Sequence, residues 1–234
     1  MGIVVLGAGG QSRVVCDVLA VSGRGAPQLL LDDNPSLWGT PVDDVPVRGP
    51  IADIGRLLPA DIAEGFVAVG CNDDRSRLHA LLKAHGLASP VLVHPAATVS
   101  RGARLSSGTI VCAGAVIGPG ARVGTGVIVN TGAQVDHDCE IGDFVHLAPG
   151  SVLCGGVRVD SLALVGAGAC VAPLVRIGVA SVVGAGAAVV EPVADGVTVI
   201  GVPARPLRAE EAGSDHRRRP LREALRARGL RDER

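Results

Sequence analysis

The sequence predicts a small Rossmann-like α/β domain followed by an all-β parallel β-helix, and three observations carry that expectation. From Val99 every sixth residue is aliphatic: Val99, Leu105, Val111, Ile117, Val123, Val129, Val135, Ile141, Leu147, Leu153, Val159, Val165, Val171, Ile177, Val183 and Val189. The residue four further on is restricted too, as at Ala103, Thr109, Ala115, Ala121, Val127, Ala133 and Cys139, with Gly, Ser, Asp and Asn between. Upstream, short apolar runs alternate with helical patterns around a glycine turn. A period of six fits neither an amphipathic helix nor an alternating strand, and it is a signature of parallel β-helices.

The α/β domain is expected over residues 1–93. Ile3 to Leu6 reads as a buried strand entering Gly7-Ala8-Gly9-Gly10-Gln11-Ser12, and a helix follows through Val14, Val15, Val18 and Leu19. In such a βα unit the turn amides and the helix N-terminus can hold phosphate. Gly7, Gly9, Gly10, Gln11 and Ser12 are therefore candidate ligand contacts. Ser12 stands where a dinucleotide fingerprint has its third glycine, which weakens a reading of NAD. Leu29 to Leu31 is a second strand ending in Asp32 and Asp33, placed to meet a ribose or base. Residues 34–50 read as a Pro/Gly/Asp loop, and Ile51 to Leu58 as a short helix. Phe66 to Val69 is a third strand ending at Gly70-Cys71-Asn72, with Asn72 a further candidate contact. Asp73 to His85 is helical, with His79 and His85 in ordinary solvated positions. Val91 to Val93 is a fourth strand.

Residues 94–208 are expected to form a triangular prism. Each six-residue unit makes one flat side, and its aliphatic residue points at the axis. Three sides close a coil of eighteen residues, so Val99, Ile117, Val135, Leu153, Val171 and Val189 stack as one internal ladder. The whole column is roughly 25 Å long at about 4.8 Å per layer. The register is expected to fail at Asp195. Residues 209–234 form a basic tail, with a flexible solvated end expected.

The composition suits a narrow core. There is no Tyr, one Trp and two Phe in 234 residues, so little bulk must fit inside a column of Val, Ala, Leu and Gly. A formal net charge of −1 argues against nucleic acid as main partner. No apolar run is long enough to cross a membrane, and a soluble cytoplasmic protein is expected. Cys16, Cys71, Cys112, Cys139, Cys154 and Cys170 contain no CxxC pair. Free thiols are expected, buried in the repeat, and no metal is expected.

The two halves together resemble the sialic acid O-acetyltransferase/amino-sugar N-acetyltransferase group, whose prism is a left-handed β-helix. The resemblance rests on GIVVLGAGGQSRVV, LLLDDNPSLWGTPVDDVPVRGP, VAVGCNDD, the hexapeptide array, NTGAQVDHDCEIGDFVHLAPGS and the closing GVPAR. It implies a homotrimer with sites between subunits, acetyl-CoA in the cleft between adjacent prisms, and a nucleotide-activated or free sugar as acceptor. By resemblance His137 is the general base and Asp138 orients it. Asp136 and Asn130 face the acceptor sugar. His146, Gly155, Gly166, Ala167 and Gly184 lie along the acetyl-CoA, with the Gly155 N–H as an oxyanion donor.

Histidine suits proton removal from an acceptor near neutral pH. Cys139 and Cys154 sit at or beside inward positions, so direct transfer without an acyl-enzyme is expected. The favoured acceptor is the 4-amino group of a nucleotide-linked deoxyamino sugar. Sialic acid or other sugar O-acetylation is the close alternative. A trimeric nucleotide-sugar-binding scaffold is the non-enzymatic one. A β-helix carbonic anhydrase would need three zinc histidines in a spacing this chain lacks. The N-terminal half is too short for a sugar-nucleotide pyrophosphorylase.

Overall fold

The computed structural model describes residues 2–207, and the basic tail lies outside them. The N-terminal sheet is built from β1 (Gly2–Leu6), β2 (Leu29–Leu31), β3 (Pro41–Val42), β4 (Val45–Gly49) and β5 (Ile62–Val67), in the order β3-β4-β2-β1-β5. β1 runs parallel to both β2 and β5, so its carboxyl end faces the crevice where the strand order reverses. Helix α1 (Gly10–Val21) turns Val15, Val18 and Leu19 into the core, while α3 (Asn72–Ala84) turns in Leu78 and Leu82. Between them α2 (Ile54–Leu57) is one short turn. The segment expected as a loop over 34–50 is more ordered than its Pro and Gly content suggested. Asp43 and Asp44 take positive φ and close a hairpin of β3 on β4, and β4 then extends the sheet beside β2.

Leu92–Val93, expected as a fourth strand of the α/β domain, pairs instead with Ile110–Val111 and is the first strand of the prism. From there the coils stack in register with a spacing of eighteen. Face 1 carries the ladder Val93, Val111, Val129, Leu147, Val165 and Val183; face 2 carries Val99 to Val189; face 3 carries Leu105 to Ile177. The small residues of the second column, such as Ala115, Ala121 and Ala133, are fully buried. From Gly108 to Gly186, the residue before each of them turns a corner with positive φ. Glycine serves at 114, 120, 132 and 156, and Asp138, Phe144, Leu162, Leu174 and Ala180 do so elsewhere. Only a left-handed backbone turns this sharply, and glycine enters it without steric cost.

The regular register ends earlier than Asp195. Val193 already bridges Ile177, and Val199 pairs Val183, so the last coil is sixteen residues rather than eighteen. Thr198–Ile200 is then covered by an antiparallel Arg205–Pro206 strand, which closes the column as repeat architectures require.

The α/β domain packs on face 1. Outward-facing Leu92, Ile110, Cys112 and Ile128 share a core cluster with Ile3, Val15 and Phe66. Of the cysteines, Cys16, Cys112 and Cys139 are buried, Cys154 is half-buried, and Cys71 and Cys170 are exposed, which corrects the expectation for Cys170. All six are free thiols.

Candidate active site

The corner between faces 2 and 3 stacks Pro119, His137, Gly155 and Pro173, eighteen residues apart. His137 and Asp138 stand exposed there, with side chains 58% and 73% accessible. The imidazole Nδ1 lies 2.9 Å from Asp138 Oδ2. Asp136 Oδ1 accepts from the His137 backbone N–H at 2.7 Å and so fixes the turn. The Asp138 carboxylate, and then the Asp136 charge, push the His137 pKa above its ordinary value, because both favour the imidazolium.

Gly155 lies directly against the ring. A Cβ there would come within 2.4 Å of His137 Nε2. At the neighbouring corner the equivalent N–H groups of Thr125, Asp143 and Val179 are taken by Asp143 Oδ1, Ser161 Oγ and Asp195 Oδ1. Among the described residues the Gly155 N–H donates to no acceptor, so it is open beside the imidazole. Cys139 Sγ is turned inward onto the Cys154 carbonyl at 3.2 Å, as expected of a packing thiol.

A second group of expected site residues occupies the corner between faces 1 and 2. Asn130 Nδ2 donates to His146 Nε2 at 3.2 Å, and Asn130 Oδ1 accepts from Thr131 N–H at 2.8 Å. His146 is pushed down to about 4, first by burial and then by the Arg75 charge. It is therefore neutral at neutral pH, with Nε2 accepting. Ala167 is exposed on this corner, while Gly166 and Gly184 are bare because coils stack on them. A Cβ at Gly166 would meet Val183 O at 2.6 Å, and one at Gly184 would meet Ile200 Cγ2 at 2.7 Å. Within one chain, then, His137 belongs to one corner, Asn130 and Ala167 to another, and His146 to face 1 beside Asn130.

The third group lies at the carboxyl ends of β1, β2 and β5. Gly7 has φ +104° and packs against Ala68 O, so the two turns touch. Gly9 and Gly10 are bare with no chain-internal reason, since a Cβ on either would meet nothing within 4 Å. Gly9 caps α1 without a side chain, and no acid sits in the helix's first turn. That leaves an open approach to a positive helix end. Gln11 Nε2 is buried without a partner, and Ser12 Oγ is buried and donates to Gly9 O. Asp32 is drawn into the turn itself, accepting from Ala8 N–H on Oδ2 and Asn34 N–H on Oδ1. Asp33 accepts from Ile51 N–H. Asn72 Nδ2 donates to Leu162 O and Ala163 O of the prism, so its amide ties the two halves together.

The residue that sequence reasoning missed is Arg75. It is 2% exposed and donates to Gly126 O, Phe144 O and Val145 O of the prism, to Val69 O and Gly70 O, and to Asn72 Oδ1. Burial lowers its pKa to about 10, so it stays charged at neutral pH. Its position, three residues before Leu78 and seven before Leu82, is on the helix's apolar stripe, which was the available signal. His79, expected in solvent, packs edge-on against Phe144 with ring centroids 5.6 Å apart.

Residues 2–82 match the PglD N-terminal domain family. Over 89% of the chain and 97% of theirs, perosamine N-acetyltransferase structures from Caulobacter crescentus are 38% identical with a TM-score of 0.85, in complex with CoA and GDP-perosamine. The acetyltransferase domain of PglB from Neisseria gonorrhoeae is 39% identical with a TM-score of 0.81, covering 88% of this chain and 98% of that one, in complex with acetyl coenzyme A. WeeI from Acinetobacter baumannii is 28% identical with a TM-score of 0.80, over 88% of this chain and 100% of that one. No curated protein sequence matches.

The chain belongs to the PglD-like sugar N-acetyltransferases. With membership comes the left-handed hand of the β-helix and an acyltransferase activity. Among the described residues of this family member, no group of three His, Cys, Asp or Glu is arranged to hold a metal. No described helix is long and apolar enough to cross a membrane.

Proposed function

We propose that this family member transfers acetyl from acetyl-CoA to the amino group of a nucleotide-linked deoxyamino sugar, with His137 as general base. The observation that carries the reading is the exposed His137–Asp138 pair beside the open Gly155 N–H. Neutral His137 Nε2 takes the proton as the acceptor nitrogen attacks the thioester carbonyl, and the Asp138 carboxylate steadies the imidazolium. The Gly155 N–H is suited to the oxyanion, where one donor is worth roughly 3 kcal/mol of barrier. CoA thiolate leaves directly, and neither Cys139 nor Cys154 is needed as a nucleophile. The amine acceptor is favoured because the perosamine N-acetyltransferase relative holds an amino sugar nucleotide.

The two-corner arrangement supports a homotrimer. A site using both His137 and the Asn130–His146 corner needs one copy's 2–3 corner against the next copy's 1–2 corner. Three triangular columns related head to tail close such a ring. Face 2 would then look inward, and its outward column of Thr98, Val116, Gln134, Val152, Cys170 and Ala188 carries no charge. The open turn at Gly9 and Gly10 supports a nucleotide on the α/β domain.

The test is CoA release against a panel of UDP-, dTDP- and GDP-linked amino sugars and free sialic acids. At least one amino sugar nucleotide should be turned over, and His137→Ala should slow it by roughly 10²-fold or more with the fold retained. Acetylation of free sialic acids alone would replace this reading with O-acetyl transfer. An unaffected His137→Ala rate would remove the base assignment.

A further inference from the structure

Face 3 of the prism presents a column of charged side chains that the catalytic reading leaves unused. Arg104, Arg122, Glu140, Arg158 and Arg176 stack in register, one per coil, all outward and exposed. The first four floor an open groove of about 650 Å³. The upper part of the column is neutralised within the chain. Arg158 Nε lies 3.0 Å from Asp160, and its Nη1 3.8 Å from Glu140. Arg176 lies 2.5 Å from Asp160 and 3.0 Å from Asp195. Below Glu140 the pattern changes. Among the described residues neither Arg104 nor Arg122 has a carboxylate partner or a hydrogen-bond acceptor.

Two adjacent unpaired guanidiniums on a rigid sheet are costly to keep together. Like charges on neighbouring strands repel, and a solvated face gains nothing from stacking them. Their spacing is one strand layer, about 4.8 Å. Guanidinium forks bind phosphate oxygens in pairs, and two such forks one layer apart match two linked phosphate groups. The position fits as well. Arg122 pairs in register with Glu140, which lies three residues after His137, so the pair begins one layer below the candidate base. Glu140 limits the cationic stretch on that side.

We infer that the lower half of face 3 is a diphosphate-binding site, with Arg104 and Arg122 as its donors. Identification of the ligand as a substrate rests on the proposed function, because nucleotide sugar and acetyl-CoA both carry a diphosphate. Binding of a diphosphate as such does not rest on it.

The experiment uses the full chain and an Arg104→Ala/Arg122→Ala double variant at one fixed low ionic strength. Because both residues are exposed and unpaired and repel one another, the thermal midpoint should not fall. Inorganic pyrophosphate titrated by calorimetry should bind the wild-type chain, and the double variant should lose at least about tenfold in affinity. The Lys double variant should recover part of the loss, since it keeps charge without the fork. In steady-state assays a rise of similar size in one KM, with kcat nearly unchanged, identifies the source. A rise for the nucleotide sugar assigns the site to the acceptor, and one for acetyl-CoA assigns it to the donor. Equal pyrophosphate affinity in the two proteins, or no binding to the wild type, would overturn the inference. If the wild type acetylates nothing, the proposed function fails while the pyrophosphate titration still decides the site.

Discussion

His137 and Asp138 occupy a corner turn whose backbone the prism dictates. Asp138 has φ +57°, in the same stack where Gly120 and Gly156 take +75° and +68°. Asp tolerates this region better than most residues, and an unbranched apolar substitute would strain by about 1 kcal/mol or more. Asp138→Asn therefore separates charge from geometry. The carboxylate raises the His137 pKa, and a general base works only when neutral. Removing the charge should move the acid limb of kcat/KM to lower pH, while the plateau rate falls because the base is weaker. A pH profile of CoA release checks this, and an unmoved limb would detach Asp138 from the base.

At the scale of elements, the start of α3 is clamped to two coils of the prism by one buried cation. Arg75 satisfies five backbone carbonyls and no carboxylate, so its charge is held by carbonyl dipoles alone. Burial, and then that charge, keep His146 neutral, at about 4 against an ordinary 6.5. The unfolded chain takes up the proton first as pH falls. Stability is therefore complete above about pH 6.5 and declines toward pH 4, by up to about 3 kcal/mol if the shift is fully expressed. His146→Gln keeps a hydrogen-bonding side chain without the titration. Its urea-unfolding free energy should change less than that of the wild type between pH 6.5 and 5, the window above carboxylate titration. Parallel curves would place the buried proton elsewhere.

At the scale of the molecule, the three faces have separate work. Face 1 is covered by the α/β domain, face 3 carries the charged column, and face 2 offers an uncharged one. Val116 is 41% exposed on that face. Val116→Arg would place three guanidiniums around the axis of the proposed trimer. It should convert the trimer to monomer in light scattering and abolish acetyl transfer, while leaving the monomer's β-sheet circular dichroism intact. A variant that stays trimeric would move the interface to another face.

Much of this protein is written in its sequence because the prism repeats. A strict period of six fixes which residues turn inward, and eighteen residues per coil fix which stack, so Val135, His137 and Gly155 could be placed without coordinates. The glycine turn of the α/β domain was legible for the same local reason. The hairpin at Val42–Val45, the early shortening at Val193, and the clamp at Arg75 were not. Each depends on a partner distant in sequence: β2 for β4, Ile177 for Val193, and the carbonyls of Gly126 and Phe144 for Arg75. Local pattern determined the column and its candidate base. Tertiary packing decided where the α/β domain sits and which arginines of face 3 remain unpaired, because ion pairs and buried carbonyls are satisfied through space rather than along the chain.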